Sequence, residues 1–150
     1  MTSVLNCDKG THAELLFCAE AGARGWQALI PMGHVSTVDV WIFRPPGRPL
    51  SVQVKRATPD RQGDYRVSLA RGRFDRKTYQ AGDFDVLAAY LPDLHQFVLW
   101  RFDDIGGRKK IRYSPKRHRQ PDNWGLLNDV AESLTFIGGN TVHVPPPAAY

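Results

Sequence analysis

Two apolar segments, each expected to form a buried strand, carry polar side chains that suit metal-assisted chemistry on a phosphate. Asp39 lies in the first segment, Gln53 and Lys55 lie in the second, and Glu14 precedes them on a predicted helix. Burying a charge without a partner is costly, so such groups are usually paired, bound to a metal or placed at a site. An acid facing an amide and an ammonium on the next strand indicates a site for a metal ion and a phosphate.

The elements that must hold these side chains follow from spacing and turn residues. Thr11 and Glu14 have the spacing of a helix-capping box, and Gly22 or Gly25 can end a helix, so we predict a helix over residues 11–25. Apolar and β-branched runs predict strands over residues 26–30, 38–43 and 50–57. The proline-rich turn at 44–49 would join the last two strands into a hairpin.

The second half of the chain has a looser pattern that still predicts strands and one helix. Strands are expected over residues 65–69 and 96–102, and residues 84–91 could form a strand or a buried helical turn. Asp122 could cap a helix from residue 123 to about residue 133. This order of elements predicts an α/β or α+β fold, with helices packed on a central mixed sheet.

The composition excludes several classes of protein. Of 150 residues, 42% are hydrophobic and 23% are charged, which is typical of a folded globular domain and not of a disordered chain. No apolar run approaches the roughly 18 residues of a membrane span, and a signal-peptide pattern is lacking. The lack of such segments predicts no membrane association. Cys7 and Cys18 have no metal-site spacing, which predicts free thiols and a cytoplasmic location.

One short segment makes the chain basic. The net charge is +5, but without the seven lysines and arginines of residues 108–119 only 13 basic residues would face 15 acidic ones. Such a concentration is typical of a polyanion contact, although it could also be a solubilising loop, and Gly106 and Gly107 would make it flexible. The predicted contacts are Arg56, Arg108, Lys109, Lys110, Arg112, Lys116, Arg117 and Arg119.

The acid, the gap and the following Gln-x-Lys resemble the motif of the PD-(D/E)XK nuclease superfamily. Asp39, Gln53 and Lys55 stand in the order of that motif on predicted strands, and Glu14 precedes them on a helix. The glutamine in place of the motif acid resembles a variant found among restriction enzymes that act on modified DNA. Because the order and the strand context both agree, the resemblance is more specific than the short motif alone.

Further segments are similar to the homing-endonuclease branch of the superfamily. Lys9, Gly10 and Thr11 open the helix as in resolvase-like and intron-homing members, and Tyr79 followed by residues 83–90 resembles a later part of the homing branch. The resemblance implies a restriction-endonuclease-like core in one domain over residues 1–144, with a proline-rich extended tail at 145–150. It also implies that the polyanion is DNA.

The resemblance implies a role for each site residue as well. Asp39 would be the central ligand of Mg²⁺, which Mn²⁺ could replace, and the Gln53 side chain and the Val54 carbonyl would complete the protein ligands. Lys55 would orient the attacking water and stabilise charge on the phosphate, and Glu14 would hold waters around the ion or a second ion. Because glutamine is a neutral ligand, it should weaken metal affinity.

Several alternatives fit the same residues. Glu14 could only cap its own helix, and Asp39 and Lys55 could form a plain cross-strand ion pair. The leading hypothesis is a Mg²⁺-dependent, site-specific DNA endonuclease of the homing type that works as a homodimer or homotetramer, since one subunit covers little duplex. A Holliday-junction resolvase or repair nuclease is the nearest alternative. A non-catalytic DNA-binding module and an unrelated α+β interaction protein are the others.

Overall fold

The computed structural model describes residues 2–33, 36–71, 77–118 and 120–135, and these ranges contain three helices and ten strands. The helices are α1 (Thr2–Ala23), α2 (Phe102–Ile105) and α3 (Leu126–Thr135). The strands are β1 (Gln27–Leu29), β2 (Val40–Phe43), β3 (Leu50–Arg56), β4 (Thr58–Pro59), β5 (Tyr65–Ser68), β6 (Ala70–Arg71), β7 (Lys77–Thr78), β8 (Val86–Leu91), β9 (Gln96–Arg101) and β10 (Lys110–Tyr113).

A central sheet of five strands has the order β1-β2-β3-β8-β9. β3 and β8 run parallel and the other neighbours run antiparallel, so the sheet is mixed, as predicted. The predicted hairpin is confirmed, because Val40 pairs with Val52 and Ile42 pairs with Leu50. Residues 84–91 contain the strand β8, which settles the choice between strand and helical turn. A second sheet has the order β10-β5-β4, and β6 pairs with β7.

Each face of the central sheet is covered by its own apolar cluster. On one face, α1 and α3 pack through residues that include Phe17 and Leu127. On the other face, the second sheet packs through residues that include Val67 and Ile111. Burying apolar surface on both sides stabilises the strands between the layers. The site residues on β3 therefore belong to a strand that is fixed from two directions.

The first helix begins earlier than its sequence pattern predicts. α1 begins at Thr2, so Thr11 lies within the helix and the predicted capping box of Thr11 and Glu14 was wrong. Gly10 is the weakest helix former near this point, and a glycine inside a helix costs only about 1 kcal/mol relative to alanine. Tertiary packing of the later turns of α1 easily offsets such a cost.

The predicted end of this helix is confirmed. Gly25 has a φ of 83°, a left-handed conformation that glycine adopts without strain. The Trp26 N–H donates to the Ala21 carbonyl at 3.0 Å, and the Gly25 N–H donates to the Gly22 carbonyl at 3.0 Å. These two bonds form a Schellman motif, which ends α1 and turns the chain toward β1.

Asp122 does not cap the last helix, which corrects the prediction for residues 122–133. Its φ is 57°, and its carboxylate accepts a hydrogen bond from the Phe97 N–H at 3.1 Å. Asn123 accepts from the Leu99 N–H at 2.8 Å and donates to the Leu99 carbonyl at 2.9 Å. Edge strands need partners for their outer backbone groups. Asp122 and Asn123 therefore cover the edge of β9, and α3 begins only at Leu126.

Part of the basic segment is a strand and not a flexible loop. Its residues 110–113 form β10, and Ile111 and Tyr113 are buried while Lys110 and Arg112 are exposed. This alternation is the pattern of a half-buried strand, and the density of charge obscured it in the sequence. Arg119 and the predicted tail at 145–150 lie outside the described residues. None of the described helices is long and apolar enough to cross a bilayer.

Candidate active site

The site starts where β2 and β3 lie side by side. Asp39 precedes β2, and its N–H donates to the Val52 carbonyl on β3 at 3.0 Å. Gln53 and Lys55 are two residues apart on β3, so their side chains leave the strand on the same face. The hairpin predicted from the sequence is therefore the element that places Asp39 beside Gln53 and Lys55.

The carboxylate of Asp39 is held from β3. Its Oδ2 atom accepts a hydrogen bond from the Gln53 Nε2 atom and another from the Val54 N–H at 2.8 Å. Gln53 is buried, whereas Asp39 is half-buried. Asp39 and Lys55 form no salt bridge among the ion pairs of the described residues. The plain ion-pair alternative therefore does not describe their geometry.

The protein environment of Asp39 disfavours its charged form. Burial raises the pKa of the Asp39 carboxyl above its ordinary value. The Val54 N–H, the Lys55 ammonium and the Gln53 amide lower this pKa, because each favours the carboxylate, but they offset the burial only in part. A buried carboxylate whose charge is incompletely balanced is stabilised by a nearby cation, and perturbed groups of this kind are common at functional sites.

The Lys55 side chain extends over the ring of Tyr79. Its Nζ atom lies 5.7 Å from the centroid of the Tyr79 ring, within the range of a cation–π contact. Tyr79 is buried and packs edge-on against Phe84 at 5.0 Å between centroids. Phe84 in turn packs edge-on against Phe102 at 5.1 Å. This stack fixes the ring beneath the ammonium and limits where Lys55 can point.

Glu14 reaches the site from α1. Its neighbours Ala13 and Phe17 are buried against the sheet, and Glu14 itself is half-buried at the margin of that packed face. Burial raises the pKa of the Cys18 thiol, and the Glu14 carboxylate one turn earlier adds to this rise. Glu14 lies inside α1 and lines the same cleft as Asp39. It is therefore part of the cleft wall and not the cap of its helix.

An open cleft of about 600 Å³ gathers all four predicted catalytic residues. It is lined by Lys9, Gly10, Glu14, Asp39, Gln53, Val54, Lys55, Arg56, Ala57, Thr58, Pro59, Pro92 and Asp93. Sequence analysis missed Asp93 as a cleft residue, because Pro92 and Asp93 have the composition of an ordinary turn. Only the parallel pairing of β3 with β8 brings the turn that follows β8 beside the end of β3.

The donors in this cleft suit a hard cation. The carboxylates of Asp39 and Glu14, the Gln53 amide and the Val54 carbonyl all offer oxygen, and Mg²⁺ requires only one or two carboxylates besides a substrate phosphate. Among the described residues, no three or more His, Cys, Asp or Glu side chains are grouped closely enough to hold a metal. An ion here would thus depend on neutral ligands and on the phosphate.

Asp83 and Asp85, the two acids of the later segment, accept hydrogen bonds from backbone N–H groups and do not line the cleft. The Asp85 carboxylate accepts from the Ser51 N–H at 2.9 Å and from its hydroxyl at 3.1 Å, and it lies 3.3 Å from Arg48. The Asp83 carboxylate accepts from the Gln80 N–H at 2.8 Å. Asp83 therefore stabilises a turn, as its sequence context allowed, and Asp85 anchors the start of β3.

The predicted polyanion contacts lie on two neighbouring surfaces. Arg56 lines the cleft of Asp39, and its guanidinium carbon lies 5.7 Å from the centroid of the Tyr90 ring. Lys110 and Arg112 line a larger groove of about 1060 Å³. Pro59 and Asp93 line both cavities, so the cleft and the groove adjoin at these two residues. The remaining described members are exposed on either side of β10: Arg108, Lys109, Lys116 and Arg117.

Arg112 is engaged within the protein. Its guanidinium lies 3.0 Å from the Asp64 carboxylate and 3.4 Å from that of Asp60, and it donates to the Gln62 side chain at 2.7 Å. A hydrogen bond from Ser114 lowers the pKa of the Asp64 carboxyl, and the nearby charge of Arg112 adds to this effect. Arg112 therefore ties β10 to residues 60–64, and its contact with DNA stays a prediction.

Comparison with known proteins agrees with this fold and site. The family model for PD-(D/E)XK endonucleases matches residues 6–130. Since the match covers most of the chain, this protein belongs to the PD-(D/E)XK endonuclease family.

This chain is also similar to the solved structure of a homing endonuclease. The bacterial homing endonuclease I-Ssp6803I matches with a TM-score of 0.69 and 26% sequence identity, over 88% of this chain and 97% of that chain. The predicted restriction-endonuclease-like core and the resemblance to the homing branch are therefore confirmed. No curated protein gives a significant sequence match.

Proposed function

We propose that this protein is a Mg²⁺-dependent endonuclease that cuts duplex DNA at specific sites. The observation that carries the proposal is the contact between the Asp39 carboxylate, the Gln53 side chain and the Val54 N–H at the wall of an open cleft that also holds Lys55 and Glu14. The likeness to a homing endonuclease supports the site-specific activity. Mn²⁺ would replace Mg²⁺, because both ions accept oxygen ligands.

Mg²⁺, when bound, polarises the phosphoryl group and makes water a stronger acid. Asp39 would be its central protein ligand, since its charge is incompletely balanced by its neighbours. The Val54 carbonyl and the Gln53 Oε1 atom would add neutral donors. In the structure Gln53 presents Nε2 to Asp39, so its amide must turn to offer oxygen to an ion beside that carboxylate. Glu14 would hold water on the α1 side of the cleft.

Lys55 would act on the substrate directly. Its ammonium can donate to a nonbridging phosphate oxygen and orient the attacking water, which opposes the charge that develops during in-line attack. The Tyr79 ring keeps the ammonium on the cleft wall. Asp39 and Lys55 thus have separate tasks, which explains why they face one cleft without pairing.

A plasmid assay tests the proposal. Wild type and Lys55→Ala are incubated with supercoiled plasmid, linear duplex and branched DNA, with Mg²⁺, Mn²⁺ or EDTA. We expect metal-dependent nicking or linearisation of duplex DNA that is abolished in EDTA and falls at least a hundredfold in Lys55→Ala. Cutting of branched DNA alone would instead identify a resolvase. Cutting that persists in EDTA, or in Lys55→Ala, would refute the assigned site.

A non-catalytic DNA-binding module is the second candidate, and the orientation of Gln53 favours it. The Gln53 amide already donates a hydrogen bond to Asp39 without any ion. Gln53→Glu separates the two candidates, because a second carboxylate would restore the motif acid and strengthen metal binding. In an endonuclease this variant should keep metal-dependent cutting and require less Mg²⁺. In a module, neither wild type nor variant cuts, and DNA binding is unchanged by EDTA.

The assembly and location are proposed on the same basis. One chain of this size covers little duplex, so cutting both strands calls for a homodimer or homotetramer. A DNA substrate and free thiols also favour the cytoplasmic location that the sequence predicted.

A further inference from the structure

The second sheet presents one packed face and one open face. On β5, Tyr65 and Val67 are buried in the apolar cluster beneath the sheet, while Arg66 and Ser68 are exposed. On β10, the exposed positions are Lys110 and Arg112. Because side chains alternate along a strand, these four exposed residues stand on the same outer face. This outer face does not pack against the core of the described chain.

The pairing of β5 with β10 places like charges together. Arg66 lies directly opposite Arg112, and Lys110 lies opposite Ser68, one diagonal step from Arg66. Like charges opposite each other destabilise a sheet unless something balances them. Arg112 is balanced by Asp60 and Asp64. Arg66 and Lys110 make no ion pair or side-chain hydrogen bond with any described residue, and both are exposed, so they are accessible to an external anion.

The position of this face points to the same ligand as the active site. Arg66 and Lys110 line the groove that adjoins the cleft of Asp39 at Pro59 and Asp93. A polyanion lying in the cleft would thus pass over the outer face of β5 and β10. The major groove of B-form DNA admits an antiparallel pair of strands. β5 and β10 form such a pair, and the short strand β4 adds only Thr58 and Pro59 beside β5.

We propose that the outer face of β5 and β10, centred on Arg66 and Lys110, enters the major groove of duplex DNA and recognises base edges beside the cut site. This inference rests on the proposed endonuclease function and adds the specificity surface to it. Arg66 would form a two-pronged contact with a guanine, which the guanidinium fork suits and a lysine ammonium cannot reproduce. Lys110 would contact a base or the adjoining phosphate.

Selection from a randomised duplex pool in EDTA tests this surface without cutting. Wild type, Arg66→Lys and Lys110→Gln are compared with Arg101→Gln, which removes a half-buried positive charge on β9 outside the groove. We expect wild type and Arg101→Gln to enrich the same motif. Arg66→Lys should lose its preference at one or two adjacent positions by about 5- to 150-fold, while the rest of the motif remains. Lys110→Gln should weaken binding and lower the salt dependence, by a slope of about 0.9 for one lost phosphate contact.

The possible results separate this inference from the proposed function. A motif that is unchanged in both Arg66→Lys and Lys110→Gln would overturn the inference, as would enrichment of no motif by wild type. Melting temperatures equal to that of wild type would show that the variants fold. A wild type that cuts plasmid but shows no role for Arg66 refutes the specificity surface alone. A wild type that selects a motif dependent on Arg66 but never cuts refutes the endonuclease alone.

Discussion

At the scale of single residues, Asp39 is where charge and burial conflict. Its raised pKa means that the folded protein binds this proton more tightly than the unfolded chain does. The free energy of unfolding therefore falls as the pH rises from the ordinary carboxyl pKa through the raised value. Asp39→Asn removes this cost and can still accept hydrogen bonds from Gln53 and Val54.

We expect Asp39→Asn in EDTA to melt at the same temperature as wild type or higher at neutral pH. Near pH 3, below the ordinary carboxyl pKa, this advantage should vanish. The variant should also lose any rise in melting temperature that Mg²⁺ gives wild type. Differential scanning fluorimetry at several pH values measures all three. A fall of several degrees at neutral pH in EDTA would indicate a purely structural Asp39.

We predict that Tyr79 affects catalysis by positioning Lys55, whose Nζ atom lies over its ring. We expect Tyr79→Leu to lower the cleavage rate about 2- to 30-fold, the range of a cation–π contact, with no change in DNA affinity. Tyr79→Phe keeps the ring and should restore the rate. Single-turnover cleavage and anisotropy titrations separate the two quantities. Equal losses in the leucine and phenylalanine variants would show that the hydroxyl matters and not the ring.

At this scale, the sequence was sufficient to find residues but not their contacts. The polarity of Asp39, Gln53 and Lys55 within apolar segments predicts a site, and all three line the cleft. The sequence could not show which end of the Gln53 amide faces Asp39. It also could not single out Asp93 or Arg66, because an acid in a turn and an arginine on an exposed strand are common in any protein.

At the scale of elements, α1 positions Glu14 by packing. Phe17 is fully buried and stacks on Trp124 at 5.3 Å and against Phe97 at 5.6 Å between centroids. We expect Phe17→Ala to lower the free energy of unfolding by about 3–5 kcal/mol. Leu15→Ala, on the same helix but 55% exposed, should change it by no more than about 0.5 kcal/mol. Urea denaturation measures both, and equal effects would contradict the described docking of α1.

The elements that sequence analysis located well are those with strong local signals. The hairpin of β2 and β3 has apolar runs on both sides of a proline-rich turn, and α1 ends at Gly25 as expected. The predictions of helix starts were wrong where a local sequence signal has another structural role. The Thr11 and Glu14 spacing occurs inside a longer helix, and Asp122 and Asn123 bind the edge of β9 instead of starting α3.

At the scale of the whole molecule, the proposed assembly is directly measurable. We expect sedimentation velocity to give the mass of two or four chains, in the absence of DNA and at moderate salt. A single chain that remains monomeric with duplex DNA bound would contradict the assembly. The mixed sheet was accessible from the sequence because helix and strand order constrains the layers, and the family was accessible from the motif of Asp39, Gln53 and Lys55. The second sheet that covers one face was not, since helices were expected to flank the central sheet. Subunit contacts were not, since a pattern of exposed residues does not identify its partner.

The interior position of β3 has a consequence for the dynamics of the site. β3 is bonded to β2 on one side and to β8 on the other, and five of its seven residues are buried. Its backbone amides should therefore exchange with deuterated solvent only when the domain unfolds globally, whereas amides of the outer strand β10 should exchange through local opening. Gln53 and Lys55 would then lie on the strand that opens most slowly, whereas the basic residues Lys110 and Arg112 would lie on a more mobile strand.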